Sequence, residues 1–303
     1  MTPLPRRSVW FALLCLLVLT TGCSVREYAA RSIGDALVGG GDVYAADDDI
    51  EFIGSATPFG LKTIESLLAT VPDHRGLLLA AARGFTQYAY VYIQVPSDEL
   101  EEHDVSAAYA QRARARRMYL RARDYGLRGL RLGAALQVQA HPAGALAAAT
   151  REDVPLLYWT AVAWAAAISL GKDDPALVAG LPAVDALVNR AAALDADYDQ
   201  GTLRTFLISY EISRPNAAAD AAQRSRAHFA RAVELSNGQH AGPYVSLAES
   251  VAAAIRDRRE FEALLDQALR VDPAARTDWR LANVVMQRRA RWLRAHADEL
   301  FPE

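Results

Sequence analysis

The stretch RRMYLRARDYGLRGLRLG, residues 116–133, limits the possible folds of this chain more than any other. Its apolar positions recur at alternating steps of three and four, as on one face of an α-helix: Ala115, Met118, Ala122, Tyr125, Gly129 and Leu132. A second row repeats every seven positions beside it: Ala113, Leu120, Leu127 and Ala134. Two apolar faces predict a helix that neighbours cover on two sides, which requires a protein built from several helices.

Arginines fill the positions between these two apolar rows: Arg112, Arg114, Arg116, Arg117, Arg121, Arg123, Arg128 and Arg131. Asp124 is the only acid among them, whereas a run of acids precedes the helix just after Ser97, a predicted N-cap. One interpretation is a solvated helix face whose charges match the helix dipole. The alternative is that some arginines bind an anionic ligand or an acidic partner. We interpret Gly126 as the end of the helix, and the glycines after it as sites of close helix approach.

The N-terminus has the pattern of an export signal. Arginines precede an apolar run, Val9 to Leu19, which is too short to span a bilayer at roughly 20 residues. The run ends in LTTGC, where Gly22 and Cys23 resemble a lipobox, the signal for cleavage before a lipid-modified cysteine; Thr20 departs from the usual Leu. The sequence therefore predicts a signal peptide over residues 1–22 and lipidation of Cys23. An ordinary secretory signal is the alternative.

The residues around the cleavage site also indicate a compartment. Ser24 after the cysteine, by resemblance to Gram-negative lipoproteins, favours the outer membrane over the inner membrane. Cys15 would leave with the signal peptide, so the mature chain would have no free thiol for a disulfide. Loss of Arg6 and Arg7 moves the formal charge from −3 to −5, with no nucleic-acid-binding signature. We therefore predict a periplasmic protein that touches the membrane only through its lipid anchor and binds no nucleic acid.

Helical periodicity without any long alternating segment predicts an all-α fold. Residues 23–56 are interpreted as a lipid-anchored N-terminal segment with a Gly/Asp-rich loop. Thr57 and Pro58 are an N-cap and a first helical residue, and they predict the start of a helical domain over residues 57–303.

The C-terminal third contains the clearest repeat. Residues 244–273 fit the outline of a tetratricopeptide repeat (TPR), with Ala268 at the small position of its second helix and Leu265 at the large apolar one. Ala191 and Ala232 occupy the same small position in two related segments. Because the repeats are degenerate and uneven in length, we expect an irregular α-solenoid of tetratricopeptide-like hairpins, with a concave face available for binding.

A candidate binding groove lies between the predicted helix over residues 73–94 and the arginine-rich helix. Its predicted residues combine apolar contact with anion recognition: Tyr88, Tyr92, Tyr119, Arg123, Tyr125, Arg128 and Trp159. The tyrosines and Trp159 would supply the apolar surface, and Arg123 or Arg128 the anion contact. The alternative is that the aromatic stripe is simply core, as such stripes at helical spacing usually are.

Several motifs in a fixed order carry a family resemblance: the lipobox, TPFGLKTIESLLA, GFTQYAYVYIQ, RARRMYLRARDYGLRGL and REFEALLDQALRVDP. Together they resemble the T-component family of tripartite ATP-independent periplasmic (TRAP) transporters. The resemblance implies a periplasmic lipoprotein with tetratricopeptide-like repeats that associates with the solute-binding P-component. It also implies self-association, for example into a trimer with a central pore, and a role in capturing or delivering a small organic solute, with apolar solutes among the candidates.

The sequence offers no support for catalysis. Its six histidines are scattered without metal-ligand spacing, and no GxSxG motif or nucleophilic cysteine occurs. We therefore predict that the protein is not an enzyme and has no catalytic residue, bound metal or cofactor. The alternative to a transporter role is a general outer-membrane lipoprotein adaptor of the tetratricopeptide type, acting in envelope protein assembly.

Overall fold

A computed structural model describes residues 22–39, 43–133, 135–214 and 217–301. Every regular element in these ranges is helical, with no strand among them, so the all-α prediction is confirmed. Most of the predicted signal peptide and the lipobox residue Thr20 lie outside the described residues. The solenoid arrangement of the helices stays a prediction.

Sixteen α-helices are described in chain order. They are α1 Gly22–Gly39, α2 Ile50–Thr70, α3 Arg75–Ala89, α4 Val95–Glu101, α5 Val105–Gly129, α6 Ala135–Ala140, α7 Pro142–Ala145, α8 Val154–Ser169, α9 Pro175–Val178, α10 Leu181–Leu194, α11 Tyr198–Ser213, α12 Ala221–Leu235, α13 Gly242–Leu247, α14 Arg258–Arg270, α15 Arg280–Ala295 and α16 Ala297–Leu300. Two π-helical segments, Tyr90–Gln94 and Ala248–Ala252, continue α3 and α13.

Helix α2 begins earlier than the sequence predicted. Its N-cap is Asp49, whose carboxylate accepts a hydrogen bond of 2.8 Å from the backbone N–H of Phe52. Pro58 lies inside the helix, and the Thr57 hydroxyl donates back to the carbonyl of Ile53 at 2.6 Å. The helix start predicted at Thr57 is therefore wrong, because a carboxylate cap further upstream satisfies the first backbone donors.

The arginine-rich helix α5 corrects two further boundaries. Its N-cap is Asp104 rather than Ser97, which lies within α4. The helix also runs past Gly126 to Gly129, so the predicted stop at Gly126 is wrong. Gly126 instead permits close contact with α8, since a Cβ there would lie 2.0 Å from the hydroxyl oxygen of Thr160. Of the later glycines predicted to allow close helix approach, Gly129 does so, because a Cβ there would lie 2.6 Å from the Leu156 side chain.

Three apolar clusters form the core along the chain. The first joins α1, α2 and α3 to α5 and α8, and the second joins α3, α5 and α8 to α10 and α11. Trp164 of α8 is fully buried in the second cluster. The third cluster joins α11 to the helices that follow it. Three alanines predicted to be small packing positions are all buried, namely Ala191, Ala232 and Ala268, while the repeat interpretation itself stays a prediction.

The last long helix returns to the N-terminal part of the chain through polar contacts, which we call the polar seam. The backbone N–H of Leu281 donates to the carbonyl of Ala45 at 3.0 Å. The ion pairs of the seam are Arg288–Glu51, Arg289–Asp98 and His296–Glu102. None of the three apolar clusters joins α15 to α2 or α4. The two ends of the described chain therefore meet without a shared hydrophobic core.

Among the described residues, one stretch, Pro175–Leu194, is long and apolar enough to cross a membrane by length and composition alone. It comprises the two helices α9 and α10, which are separated at residues 179–180. Val184, Leu187 and Val188 of this stretch are buried in the second apolar cluster. Its apolar character is thus used in packing against the rest of the fold.

Candidate functional site

The predicted groove residues lie on three helices that pack against one another, α3, α5 and α8. Tyr119 of α5 is only 1% exposed and donates a hydrogen bond of 2.6 Å to the side-chain oxygen of Gln94. Burial raises the pKa of Tyr119 well above its usual value. This tyrosine therefore contributes to the core rather than to an accessible surface.

Tyr88 and Tyr92 form an aromatic pair with ring centroids 5.5 Å apart. Tyr92 packs directly on α2, since a Cβ on Gly54 would lie 2.6 Å from its ring. Its hydroxyl is buried and has no hydrogen-bond partner in the described part of the chain. Burial, reinforced by the nearby carboxylate of Glu51, raises the pKa of Tyr92 to about 12. A buried hydroxyl without a partner is uncommon, and here it lies close to charged side chains, including Glu51 and Arg288.

Tyr125 belongs to a network around Glu65 of α2. The tyrosine hydroxyl donates to the Glu65 carboxylate at 2.6 Å, and Arg121 forms an ion pair with the same carboxylate. Burial alone would raise the pKa of Glu65, but hydrogen bonds from Lys62 and Tyr125 and the charge of Arg121 lower it. The Tyr125 ring also stacks on Phe85, 5.9 Å between centroids. The network ties α5 to α2 and α3.

The two arginines predicted to bind an anion have partners within the fold. Arg123 pairs with Asp124 at 2.8 Å and lies over the ring of Trp164. Arg128 donates to the carbonyl of Pro72 at 2.9 Å and lies over the Tyr125 ring. These contacts occupy the guanidinium groups but leave Arg128 exposed.

Trp159 contacts Tyr158 edge-on, 5.0 Å between centroids, and its ring faces the guanidinium of Arg83 at 5.9 Å. These contacts are separate from those that Tyr125 and Arg128 make. The predicted residues line neither of the two cavities described below. Ligand binding by these residues stays a prediction.

An open cleft lies elsewhere, between α7 and α10, and has a volume of about 620 Å³. Its walls are mainly alanine and proline: Pro142, Ala143, Leu146, Ala147, Pro182, Asp185, Ala186, Asn189, Arg190 and Ala193. This volume is within the range of small-molecule sites, roughly 300–1,000 Å³. This cleft could not be predicted from the sequence, because it forms where residues 135–149, with the short helices α6 and α7, pack against α10. The two prolines at its edges are the only local signal.

The polar groups of the cleft are mostly engaged. Arg190 donates to the backbone carbonyl of Ala149, while its buried Nε has no partner among the described residues. Asp185 accepts hydrogen bonds from the Tyr210 hydroxyl at 2.7 Å and from Arg214 at 3.3 Å. Asn189 is exposed at the edge. The cleft therefore offers an apolar surface with one free amide, which suits an apolar molecule with few polar groups.

Comparison with known proteins shows to which family the chain belongs. The model of the TRAP transporter T-component family matches residues 46–301 of this chain. The chain belongs to the TRAP transporter T-component family. An uncharacterized protein of Treponema pallidum (strain Nichols) is 28% identical, and the match covers 94% of each chain. The family is one of transporter accessory components and not of enzymes, which indicates an accessory role in a TRAP transporter.

A second, smaller cavity in this T-component lies where the backbone is strained. Asp199, Gln200 and Gly201 are consecutive residues with φ of 50°, 51° and 101°, the left-handed region that favours glycine. His240 and Trp279 line the same cavity, and burial lowers the pKa of His240 to about 4. The imidazole is therefore neutral at physiological pH. The space admits about one water molecule.

The exposed face of α5 is the remaining candidate surface of the T-component. Arg114, Arg117 and Arg128 are exposed, and their spacing places them on one side of the helix. Arg114 and Arg117 form no ion pair within the described residues, unlike Arg112 and Arg121. Within the same ranges, no group of three or more histidine, cysteine, aspartate or glutamate side chains is arranged to hold a metal ion.

Proposed function

We propose that this protein is a lipid-anchored periplasmic accessory component of a TRAP transporter. In this role it binds the solute-binding P-component, assists the capture and delivery of a small organic solute, or does both. The observation that carries the proposal is the family match over residues 46–301, which includes every helix from α2 to α16. The lipobox at Gly22–Cys23 and Ser24 support anchoring at the outer membrane.

The exposed arginine face of α5 is the surface we propose for the P-component. Arg114 and Arg117 carry charge that no carboxylate of the described chain neutralises by an ion pair. Guanidinium groups in this state favour an acidic partner surface, mainly by accelerating and orienting association. Arg128 extends the same face and keeps its exposure despite its bond to the Pro72 carbonyl.

A pull-down from native membranes tests this function and this surface together. The acylated protein is used as bait, and recovered proteins are identified by mass spectrometry. We expect a TRAP solute-binding protein to be recovered by the wild type and lost with Arg114→Glu plus Arg117→Glu. The control is Arg259→Glu plus Arg291→Glu, which makes the same charge change at exposed arginines elsewhere.

The outcomes separate the parts of the proposal. If both double variants recover the P-component equally, the surface is wrong and the accessory function stands. If the wild type recovers only envelope-assembly proteins, the transporter function is wrong and the general adaptor role is favoured.

The cleft between α7 and α10 is the site we propose for the solute. Its apolar walls and its volume support a small organic molecule with a largely apolar body. Ala186→Trp places a large ring in the cleft, whereas Ala110→Trp changes an exposed alanine of α5 that does not line it. We expect native mass spectrometry to detect a co-purified organic molecule on the wild type and on Ala110→Trp only. Equal retention by both variants would place the solute elsewhere.

A further inference from the structure

The exposed large apolar side chains of the described chain are concentrated near its N-terminal end. Nine of the thirteen lie within residues 25–59: Val25, Tyr28, Ile33, Leu37, Val38, Val43, Tyr44, Phe52 and Phe59. Phe59 is 80% exposed. Scattered single apolar residues are normal on a soluble surface, but a concentration in one segment indicates an interaction surface.

Helix α1 has a distinct apolar stripe. Val25, Ala29, Ile33 and Leu37 are spaced by four residues and therefore lie along one side of the helix. Val25 is 66% exposed, Ile33 56% and Leu37 49%. This stripe has no cover in the described fold.

Two small residues beside this stripe attach α1 to the rest of the molecule. Ala30 and Gly34 are buried there, and a Cβ on Gly34 would lie 2.9 Å from both the His74 ring and the Leu77 side chain. The His74 imidazole also lies 3.2 Å from the carboxylate of Asp35. The helix is therefore docked through small residues and has a fixed rotation, which leaves Val25, Ile33 and Leu37 exposed.

The position of the proposed anchor identifies what would cover the stripe. Helix α1 is already helical at Gly22 and Cys23, so no linker separates a lipidated Cys23 from the stripe. At about 1.5 Å per residue, Val25 is about 3 Å and Leu37 about 21 Å along the helix from that cysteine. Acyl chains inserted in a bilayer would bring the first turn of α1 to the headgroups.

We propose that α1 lies along the bilayer surface with Val25, Ile33 and Leu37 facing the lipid, an inference that rests on the proposed anchor at Cys23. An interfacial helix binds by its apolar face together with any charge attraction. Arg31 of α1 is paired with Glu27 at 2.8 Å, and Asp35 offsets Arg26. The contact is therefore apolar in origin and largely independent of salt and of anionic lipid.

Cysteine labelling of the acylated full chain tests the proposal. The processed chain has no other free thiol, so Ile33→Cys can be labelled with a fluorophore that responds to polarity. The control is Arg31→Cys, about 200° away around the helix and also exposed. Vesicles of phosphatidylethanolamine and phosphatidylglycerol, with and without spin-labelled lipid, report contact with the acyl region.

We expect a blue shift and quenching by spin-labelled lipid at position 33, with little change at position 31, and the same result in high salt. Equal responses at the two positions, or no quenching at position 33, would overturn the proposal. A blue shift at position 33 without vesicles, rising with protein concentration, would instead assign the stripe to a second copy of the chain.

Flotation of the protein with the vesicles is measured first and separates the two levels of the inference. Loss of flotation with Cys23→Ser supports the anchor, whatever the label at position 33 reports. A wild-type chain that fails to float overturns the anchor and with it the bilayer contact of α1. The pull-down that tests the transporter function identifies protein partners, and its result does not depend on the flotation or on the labelling.

Discussion

Removing the carboxylates around Arg289 should destabilise the protein more than removing Arg289 itself. Arg289 of α15 is 7% exposed and forms ion pairs with Glu249, in the second π-helical segment, and with Asp98 of α4 at 3.1 Å. Its Nε and Nη1 atoms are buried without a hydrogen-bond partner in the described chain. The cluster is thus only partly satisfied, and each way of breaking it leaves a different group uncompensated.

The loss of stability in each variant depends on which charge stays buried without a partner. Asp98→Asn plus Glu249→Gln leaves a buried guanidinium without a carboxylate, and breaking a buried ion pair in this way lowers the free energy of unfolding by about 3–5 kcal/mol. We expect the lower end, because Glu249 is 37% exposed. Arg289→Met leaves Asp98 paired with Arg112 at 3.2 Å and Glu249 partly solvated. It also removes two unsatisfied donors, each costing about 1–3 kcal/mol.

Two losses act against that gain: the Arg289 contact with Trp292, about 0.5–2 kcal/mol, and the charge-assisted hydrogen bond to Glu249, about 1.5–3 kcal/mol. Because the gain and the losses nearly cancel, Arg289→Met should change the free energy of unfolding by no more than about 2 kcal/mol. Urea unfolding of the processed chain carrying Cys23→Ser, followed by far-UV circular dichroism, measures both variants against the same background. Asp98→Asn alone is a useful control, because Glu249 then still neutralises Arg289.

A cost for Arg289→Met equal to or above that of the carboxylate double variant would refute the reasoning. That result would mean that the ion pairs of the polar seam stabilise the fold by more than the burial of Arg289 costs.

Three further perturbations have expected outcomes. Gly126→Ala should lower the free energy of unfolding by about 2 kcal/mol or more, because its Cβ would lie 2.0 Å from the Thr160 hydroxyl oxygen. In the same thermal unfolding measurement, Gly144→Ala should be neutral or slightly stabilising, because no atom lies within 4 Å of its added Cβ. Burial lowers the pKa of His240 to about 4, so stability should fall as the pH drops from 6.5 towards 4, and His240→Phe should flatten that dependence. A hydrogen bond to a backbone carbonyl, aided by nearby carboxylates, raises the pKa of His296. The stability that the protonated His296 contributes is therefore fully present below pH 6.5 and should be lost as the pH rises through the pKa of the folded state. The urea concentration at the unfolding midpoint should fall over this pH range, and His296→Gln should abolish that fall.

The candidate site was only partly predictable from the sequence. Tyr119 and Arg123 were assigned to one predicted binding groove because both lie in the most distinctive stretch of the sequence. In the fold, Tyr119 turns into the core and bonds Gln94, while Arg123 bonds Asp124 and lies over Trp164. Helical spacing tells which residues share a face, but it does not tell which neighbouring helix covers that face.

Much of the fold was determined by the sequence alone. Residues three and four positions apart interact within a helix, so the helical character of the chain and the burial of Ala191, Ala232 and Ala268 followed from local pattern. The ends of helices were harder to predict from the sequence. Asp49 and Thr57 are both good N-caps by residue type, and only the surrounding structure selected Asp49.

The cleft over α10, the contact of Gly126 with Thr160 and the polar seam between Asp98 and Arg289 were decided by the tertiary structure. Each depends on segments far apart in the chain meeting at a particular angle and distance. The free energy of such a contact depends on burial, hydrogen bonding or charge supplied by a residue from a distant segment. The local sequence around one of the two residues does not indicate which distant residue will be its partner.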